Sequence, residues 1–130
     1  MKIRNVTIPI NLNGMLFLTL VFAAAPTDAA DPAAGAKIAR EQQCVKCHGE
    51  TGKGDGEMLQ KFKTMGVVVP DPVAWDDGAG MSEWTDEQLF QIIEKGGKDV
   101  GKSKMMPPWG DQLSKAEIAD LVAYIRSLAK

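Results

Sequence analysis

The stretch Cys44-Val45-Lys46-Cys47-His48 decides how the rest of this chain is interpreted. It has the pattern C-x-x-C-H, which is the attachment signature of a c-type haem. Cysteines three positions apart on a helical turn point the same way, so each can form a thioether with one haem vinyl group. The segment therefore predicts that Cys44 and Cys47 attach one haem and that His48 is its proximal iron ligand.

Three other uses of these residues compete with haem attachment. A structural zinc ion takes four ligands, and the chain has only two cysteines and one histidine. A thioredoxin-like redox pair accompanies a βαβ pattern, which the sequence lacks. A local disulfide is the third alternative. Haem is favoured because the sole histidine of the chain directly follows the second cysteine.

Outward from the motif, the sequence predicts helices joined by long loops. Asp31 is a good N-cap and Pro32 a good first residue for a helix that runs over residues 33–43. Four glycines among the eight residues 49–56 exclude a helix there and indicate a loop. A phosphate cradle is the alternative for this loop, but the Lys-Ser/Thr ending and the preceding strand are missing.

Two capping boxes mark the later helices. Thr85-Asp86-Glu87-Gln88 begins a helix that Gly96-Gly97 stops, and Ser114-Lys115-Ala116-Glu117 begins one that runs almost to the C-terminus. A short helix is expected over residues 57–63 and irregular chain over 67–77. Because no alternating apolar pattern of useful length appears, the fold class is all-α, with about three to five helices.

Size and composition exclude several classes of protein. The chain has 130 residues, of which 45% are hydrophobic and 25% charged, with a formal net charge of −2. These values indicate one small folded domain rather than a two-domain enzyme or a disordered chain, and they give no electrostatic footprint for nucleic acid. Both cysteines lie in the haem motif, so there is no disulfide framework, and a bound group must add stability.

The first 30 residues resemble a signal peptide. Two basic residues precede an apolar run, residues 15–25, that is too short to span a bilayer. Small residues favour cleavage after Ala29, or after the neighbouring Ala30. The alternative interpretation of this segment is an ordinary apolar helix. We therefore expect a mature domain over residues 31–130 that is exported to a periplasm.

Charge is unevenly distributed along the predicted mature domain. After residue 30 there are 13 basic and 16 acidic residues. Residues 64–94 hold seven acids and no base. Four lysines follow with one acid among them: Lys95, Lys98, Lys102 and Lys104. We therefore expect an asymmetric charge distribution over the molecule.

From Gly35 onward the sequence resembles class I monohaem cytochromes c, in particular the bacterial type. The matching elements are the haem motif, the glycine-rich loop over residues 52–56, the segment Met106-Pro107-Pro108-Trp109-Gly110, and the closing helix over residues 117–128 with Tyr124. The resemblance implies the cytochrome c fold, with long loops wrapped around one covalently bound haem c. It also implies a close contact between the first and last helices at Gly35 and Tyr124.

The resemblance further implies the second iron ligand, because the family uses the methionine directly before a proline. Met106 fits, since Pro107 disfavours a helix at that position and stiffens the loop; Met105 is the rival. His48 and Met106 are thus the predicted metal ligands. Trp109 resembles the family residue packed beside the haem, where its indole N–H could reach a propionate; packing at the rim is the alternative.

Trp75 and Trp84 have no such counterpart and are interpreted as core or loop anchors. The family usually places a proline after the glycine-rich loop, and its carbonyl orients the proximal histidine. Here Glu57 stands in that place. Its backbone carbonyl remains a candidate acceptor for the His48 ring N–H.

These features predict an exported monohaem cytochrome c that carries single electrons between redox proteins and is not an enzyme. After cleavage we expect a monomer without stable membrane insertion. Lys98, Lys102 and Lys104, with Lys46, are predicted to meet an acidic surface of the electron donor or acceptor. The main alternative is a haem subunit of a periplasmic dehydrogenase or oxidase complex; a peroxidase and a haem-based ligand sensor are further alternatives.

Overall fold

A computed structural model describes residues 29–130, and all regular structure in that range is helical. The helices are α1 (Pro32–Glu41), α2 (Val45–His48), α3 (Glu57–Thr64), α4 (Gly78–Ser82), α5 (Asp86–Asp99) and α6 (Lys115–Leu128). The all-α class is confirmed. The count reaches six because α2 and α4 are one-turn helices of four and five residues. The predicted signal peptide lies almost wholly outside the described residues.

The first and last helices pack against each other, as the resemblance implied. Asp31 caps α1, where its side chain accepts a hydrogen bond from the Ala33 N–H at 2.8 Å. Its own N–H donates to the Asp120 carboxylate of α6 at 2.7 Å. A Cβ on Gly35 would overlap the Asp120 carbonyl oxygen and lie 2.8 Å from the Tyr124 Cβ. Only glycine allows this approach of the two backbones.

One hydrophobic core joins these helices to α5. Helix α6 contributes the largest share of it, through the buried side chains of Ile118, Leu121, Val122, Tyr124 and Ile125. Leu89 and Ile93 of α5 and Ile38 of α1 complete the central layer. None of the helices within residues 29–130 has the length and apolar character needed to cross a bilayer.

Both predicted capping boxes form. In α5 the Thr85 hydroxyl accepts from the Gln88 N–H at 3.1 Å, and the Gln88 side chain accepts from the Thr85 N–H at 2.8 Å. The predicted stop is a break rather than an end. Gly96 has a φ of +78°, and one further turn follows to Asp99. The break matters for the site because it lets α5 hold the segment around Met106.

The glycine-rich loop folds back onto α2. The Gly54 N–H donates to the His48 carbonyl at 2.7 Å and the Gly56 N–H to the Cys47 carbonyl at 3.3 Å. Residues 67–77 are irregular, as predicted. Trp75 of this segment is tied to the loop, because its N–H donates to the Gly52 carbonyl at 2.6 Å.

Candidate haem site

All five residues that the sequence predicts for the site line one cavity of about 520 Å³: Cys44, Cys47, His48, Met106 and Trp109. The first three come from α2 and its N-cap, and the other two from the segment between α5 and α6. Most of the remaining wall is apolar, with Leu59, Ile92 and Ile93 among its residues. The fold therefore gathers residues more than fifty positions apart in the chain around one apolar space.

Helix α2 places the two thiols one turn apart. Cys44 has helical backbone angles, and its carbonyl accepts hydrogen bonds from the Cys47 N–H at 3.2 Å and the His48 N–H at 2.9 Å. Both thiols are free. A Cβ on Gly56 would overlap the Lys46 carbonyl, so the loop can close over α2 only with glycine there.

Burial keeps the donor atoms of this motif uncharged. It raises the pKa of the Cys44 thiol to about 11, against the opposing effect of a backbone hydrogen bond, and it also raises the pKa of Cys47. Burial lowers the pKa of His48 to about 4, so its imidazole is neutral near pH 7, the form that binds a metal. Thiols with raised pKa values are poor nucleophiles, which disfavours the redox-pair alternative.

The His48 imidazole is held without a hydrogen bond to its Nδ1. That nitrogen is buried and has no partner among the described residues. The suggestion that the Glu57 carbonyl accepts this N–H is therefore wrong. Glu57 is the first residue of α3, and its carbonyl belongs to the hydrogen-bonding pattern of that helix. The ring instead stacks on Trp75, with centroids 4.4 Å apart and planes 18° from parallel.

The segment around Met106 is fixed to the end of α5 by three backbone hydrogen bonds. The Gly97 N–H donates to the Met106 carbonyl at 2.9 Å, the Trp109 N–H to Ile93 at 2.9 Å, and the Gly110 N–H to Glu94 at 3.0 Å. The Met106 side chain is half-buried and packs against the core. Its rival Met105 also lines the cavity but is 47% exposed.

Several wall residues were not assigned to the site from the sequence. Trp75, Trp84 and Met81 all line the cavity, although the two tryptophans were interpreted only as anchors. The Lys102 Nζ lies 5.1 Å from the Trp84 ring centroid at the same cavity. These residues belong to irregular chain or to the short helix α4. Such segments have no hydrophobic periodicity from which to predict which of their side chains face the site.

The donor set and the cavity fit a haem c. Two thiols, a neutral imidazole and a thioether surround a largely apolar space, and the imidazole lines it while its Nδ1 points into protein. Within residues 29–130, no three His, Cys, Asp or Glu side chains are placed to bind one metal ion by themselves. This arrangement disfavours the structural zinc alternative.

Comparison with known proteins agrees with this geometry. Residues 30–125 match the family described as cytochrome c oxidase, cbb3-type, subunit III. The cbb3-type cytochrome c oxidase subunit FixP of Azorhizobium caulinodans is 32% identical over 105 residues, which cover 81% of this chain and 30% of that protein. The chain therefore spans less than a third of the length of this curated relative.

Two solved structures show a similar fold. The KustC0563 c-type cytochrome has a TM-score of 0.55 and 26% identity, covering 74% of this chain and 98% of that one. A chain of the Kuenenia stuttgartiensis reducing HAO-like protein complex Kustc0457/Kustc0458 has a TM-score of 0.60 and 25% identity, covering 82% of this chain and 46% of that one. The resemblance to monohaem c-type cytochromes drawn from the sequence is confirmed.

Proposed function

We propose that this chain, which belongs to the family of cytochrome c oxidase, cbb3-type, subunit III, carries single electrons between other redox proteins and catalyses no reaction of its own. Its cofactor is one covalently attached haem c, which supplies a one-electron iron couple when bound. The observation that carries the proposal is the convergence of Cys44, Cys47, His48 and Met106 on one apolar cavity.

Each of these residues has a distinct part in the proposal. Cys44 and Cys47 would anchor the cofactor through thioethers, so that it would stay bound in both redox states. The neutral His48 imidazole and the Met106 thioether would ligate its iron. A His/Met pair would raise the reduction potential and leave no open position for a substrate. Apolar walls such as Leu59 and Ile93 keep water from the site. Trp109 lines the same wall and is the proposed partner of a propionate.

Exchange of the two neighbouring methionines tests the assignment of the iron ligand. In Met106→Leu we expect the iron–methionine charge-transfer band of the oxidised protein to disappear and the reduction potential to fall, because the soft sulfur donor is lost. Met105→Leu, at the more exposed position, is the matched control and should keep both properties. A band that survives in Met106→Leu, or a colourless protein after expression with intact haem maturation, contradicts the proposal.

A lysine-rich surface beside the Met106 segment is the proposed contact with an acidic redox partner. Lys98, Lys102 and Lys104 are exposed, and none forms an ion pair within residues 29–130. Opposite charges on the partner would raise the association rate and make it fall as ionic strength rises.

Neutralisation of these lysines tests the surface. Lys98→Gln together with Lys104→Gln should slow electron transfer with the physiological partner at low salt and flatten its salt dependence. Lys37→Gln together with Lys115→Gln, at two exposed lysines of α1 and α6, controls for the general loss of two positive charges. Transfer rates that do not respond to ionic strength would remove this part of the proposal.

A subunit role in a larger redox assembly is the second candidate. It is favoured by the relatives, since one is an oxidase subunit and another is a chain of a protein complex. Size-exclusion chromatography of the native protein separates the two candidates, since a free carrier elutes as a monomer.

We also propose that the protein is exported and that its signal peptide is removed. The sequence of the mature protein, determined from its N-terminus, should then begin at Ala30 or Asp31.

A further inference from the structure

The unusual feature of the site is what holds the His48 ring. A histidine that binds a metal almost always donates its other ring N–H to a carbonyl, carboxylate or water, and this bond fixes the orientation of the ring. In this chain Nδ1 is buried and finds no acceptor among residues 29–130. Packing is therefore the constraint that remains on the ring.

The group in stacking contact with the imidazole is the Trp75 indole. The two rings are 4.4 Å apart between centroids, and their planes differ by 18°. A face-to-face contact of this kind opposes rotation of the imidazole about its Cβ–Cγ bond, because rotation would drive the ring edge into the indole. It constrains the same torsion that a hydrogen bond to Nδ1 normally constrains.

Trp75 is itself held by contacts with Gly52 and Tyr124. Its backbone N–H donates to the Gly52 carbonyl at 2.6 Å, and a Cβ on Gly52 would lie 2.6 Å from the Trp75 Cβ. The edge of the Tyr124 ring meets the indole at 6.2 Å, with the planes at 79°. The Tyr124 hydroxyl donates to the Glu50 carbonyl at 3.4 Å. Since Trp75 is only 7% exposed, its indole is a rigid platform.

We propose that Trp75 is a positioning residue that sets the orientation of the His48 imidazole, in place of a hydrogen bond to Nδ1. The proposal rests on the proposed function, in which His48 is the iron ligand. An imidazole whose N–H has no acceptor is a less basic ligand than one that donates to a carbonyl. Trp75 thus controls the direction of the His48 ligand plane.

Variants of Trp75 in the haem-loaded protein test this role. Trp75→Phe keeps an aromatic face and should retain g-values close to those of the wild type in the electron paramagnetic resonance spectrum of the oxidised protein. Trp75→Met fills much of the volume without a flat face. It should broaden or shift the g-values, which report the orientation of the axial ligands, and shift the reduction potential. Trp75→Leu carries the same expectation if the Met variant does not accumulate.

A control for general destabilisation is Ile118→Ala. Ile118 is fully buried and does not line the cavity, so this variant should lower the melting temperature while leaving the g-values and potential unchanged. Unchanged g-values in Trp75→Met, or in Trp75→Leu where the Met variant does not accumulate, overturn the inference, as does an equal spectral shift in Ile118→Ala. A wild-type spectrum without His/Met ligation overturns the proposed function as well, so the two failures are distinguishable.

Discussion

At position 35 the lack of a side chain allows the first and last helices to touch. A methyl group there would overlap the Asp120 carbonyl oxygen and lie 2.8 Å from the Tyr124 Cβ. Because a backbone carbonyl in mid-helix cannot move aside alone, the helices must separate to admit it. We expect Gly35→Ala to lower the free energy of unfolding by about 1–3 kcal/mol. Chemical denaturation of the holoprotein followed by circular dichroism measures this change.

The matched control on the same helix is Lys37→Ala. The Lys37 side chain is 76% exposed, and its ion pair with Glu41 is 3.6 Å long. Such exposed pairs contribute little, so the free energy of unfolding should change by no more than about 0.5 kcal/mol. Equal effects of the two substitutions would show that α1 and α6 do not need the close approach at Gly35.

Residues of the site differ in how far the sequence could predict them. Cys44, Cys47 and His48 form one local motif whose chemistry is complete within five positions, so no tertiary information was needed. Met106 was placed in the site by its position before a proline, with help from the resemblance. Trp75 was not assigned to the site, because the irregular segment around it has no periodicity and its contacts with Gly52 and Tyr124 form only in the folded chain.

Helix α6 also holds the junction between α4 and α5, through Arg126. Its guanidinium donates to the carbonyls of Met81, at 2.6 Å, and Trp84, and to the Asp86 carboxylate at 2.7 Å. Met81 and Trp84 line the haem cavity. We expect Arg126→Gln to cost about 1.5–3 kcal/mol of unfolding free energy, since the charged donor is lost to partly buried carbonyls. Thermal denaturation of the holoprotein measures this loss.

Arg40 provides the matched arginine for that experiment. It faces Glu50 at 3.4 Å, and the two side chains are 60% and 68% exposed. Arg40→Gln should therefore cost less than about 1 kcal/mol. If the two arginine variants have the same melting temperature, the contacts of Arg126 do not stabilise the wall of the cavity.

The capping box of α6 makes its stability depend on pH. The Ser114 N–H and hydroxyl each donate to the Glu117 carboxylate at 2.8 Å, and these bonds lower the pKa of Glu117. A lowered pKa means that the folded state favours the charged form. The stabilisation is present above the ordinary glutamate pKa of about 4.3 and is lost as the pH falls below it.

Glu117→Gln should remove this contribution to the pH dependence. The amide oxygen still accepts from the Ser114 N–H, as the Gln88 side chain does from Thr85 in α5, but it does not titrate. Denaturation midpoints of the wild type and the variant, measured from pH 6 to pH 3, should converge as the pH falls. Parallel curves would mean that the charge of Glu117 adds nothing to the cap.

At the scale of elements, local signals were sufficient wherever the determinant is local. Both capping boxes were predicted because a cap acts within one turn. The glycines at 96 and 97 were predicted to stop α5, whereas the helix only breaks at Gly96 and one further turn follows. Helix α4 was missed. It has only five residues and is held by the Asp77 cap and by Arg126, which lies 45 positions away from Met81. The contact with Arg126 cannot be predicted from a local sequence pattern.

The whole molecule is built around the space for its cofactor. Residues of the hydrophobic core also form the wall of the cavity: Trp75, Met81, Leu89, Ile93 and Ile125. The cavity measures about 520 Å³. Without haem these apolar side chains lack the group that they pack against, so their native contacts are incomplete. A typical small domain has a stability of only about 5–15 kcal/mol, which leaves little margin for such a loss.

A chain that cannot attach haem should therefore not keep this fold. In Cys44→Ala, Cys47→Ala we expect most of the helical circular dichroism signal and the cooperative thermal transition to be lost, because no group fills the cavity and stabilises the native state. Met106→Leu is the control, since it loses the proposed ligand but keeps the thioether anchors and should still unfold cooperatively. A cooperative transition with native helix content in the double variant would contradict this expectation. It would mean that the cavity collapses without haem and that the packing of α1, α5 and α6 alone stabilises the core.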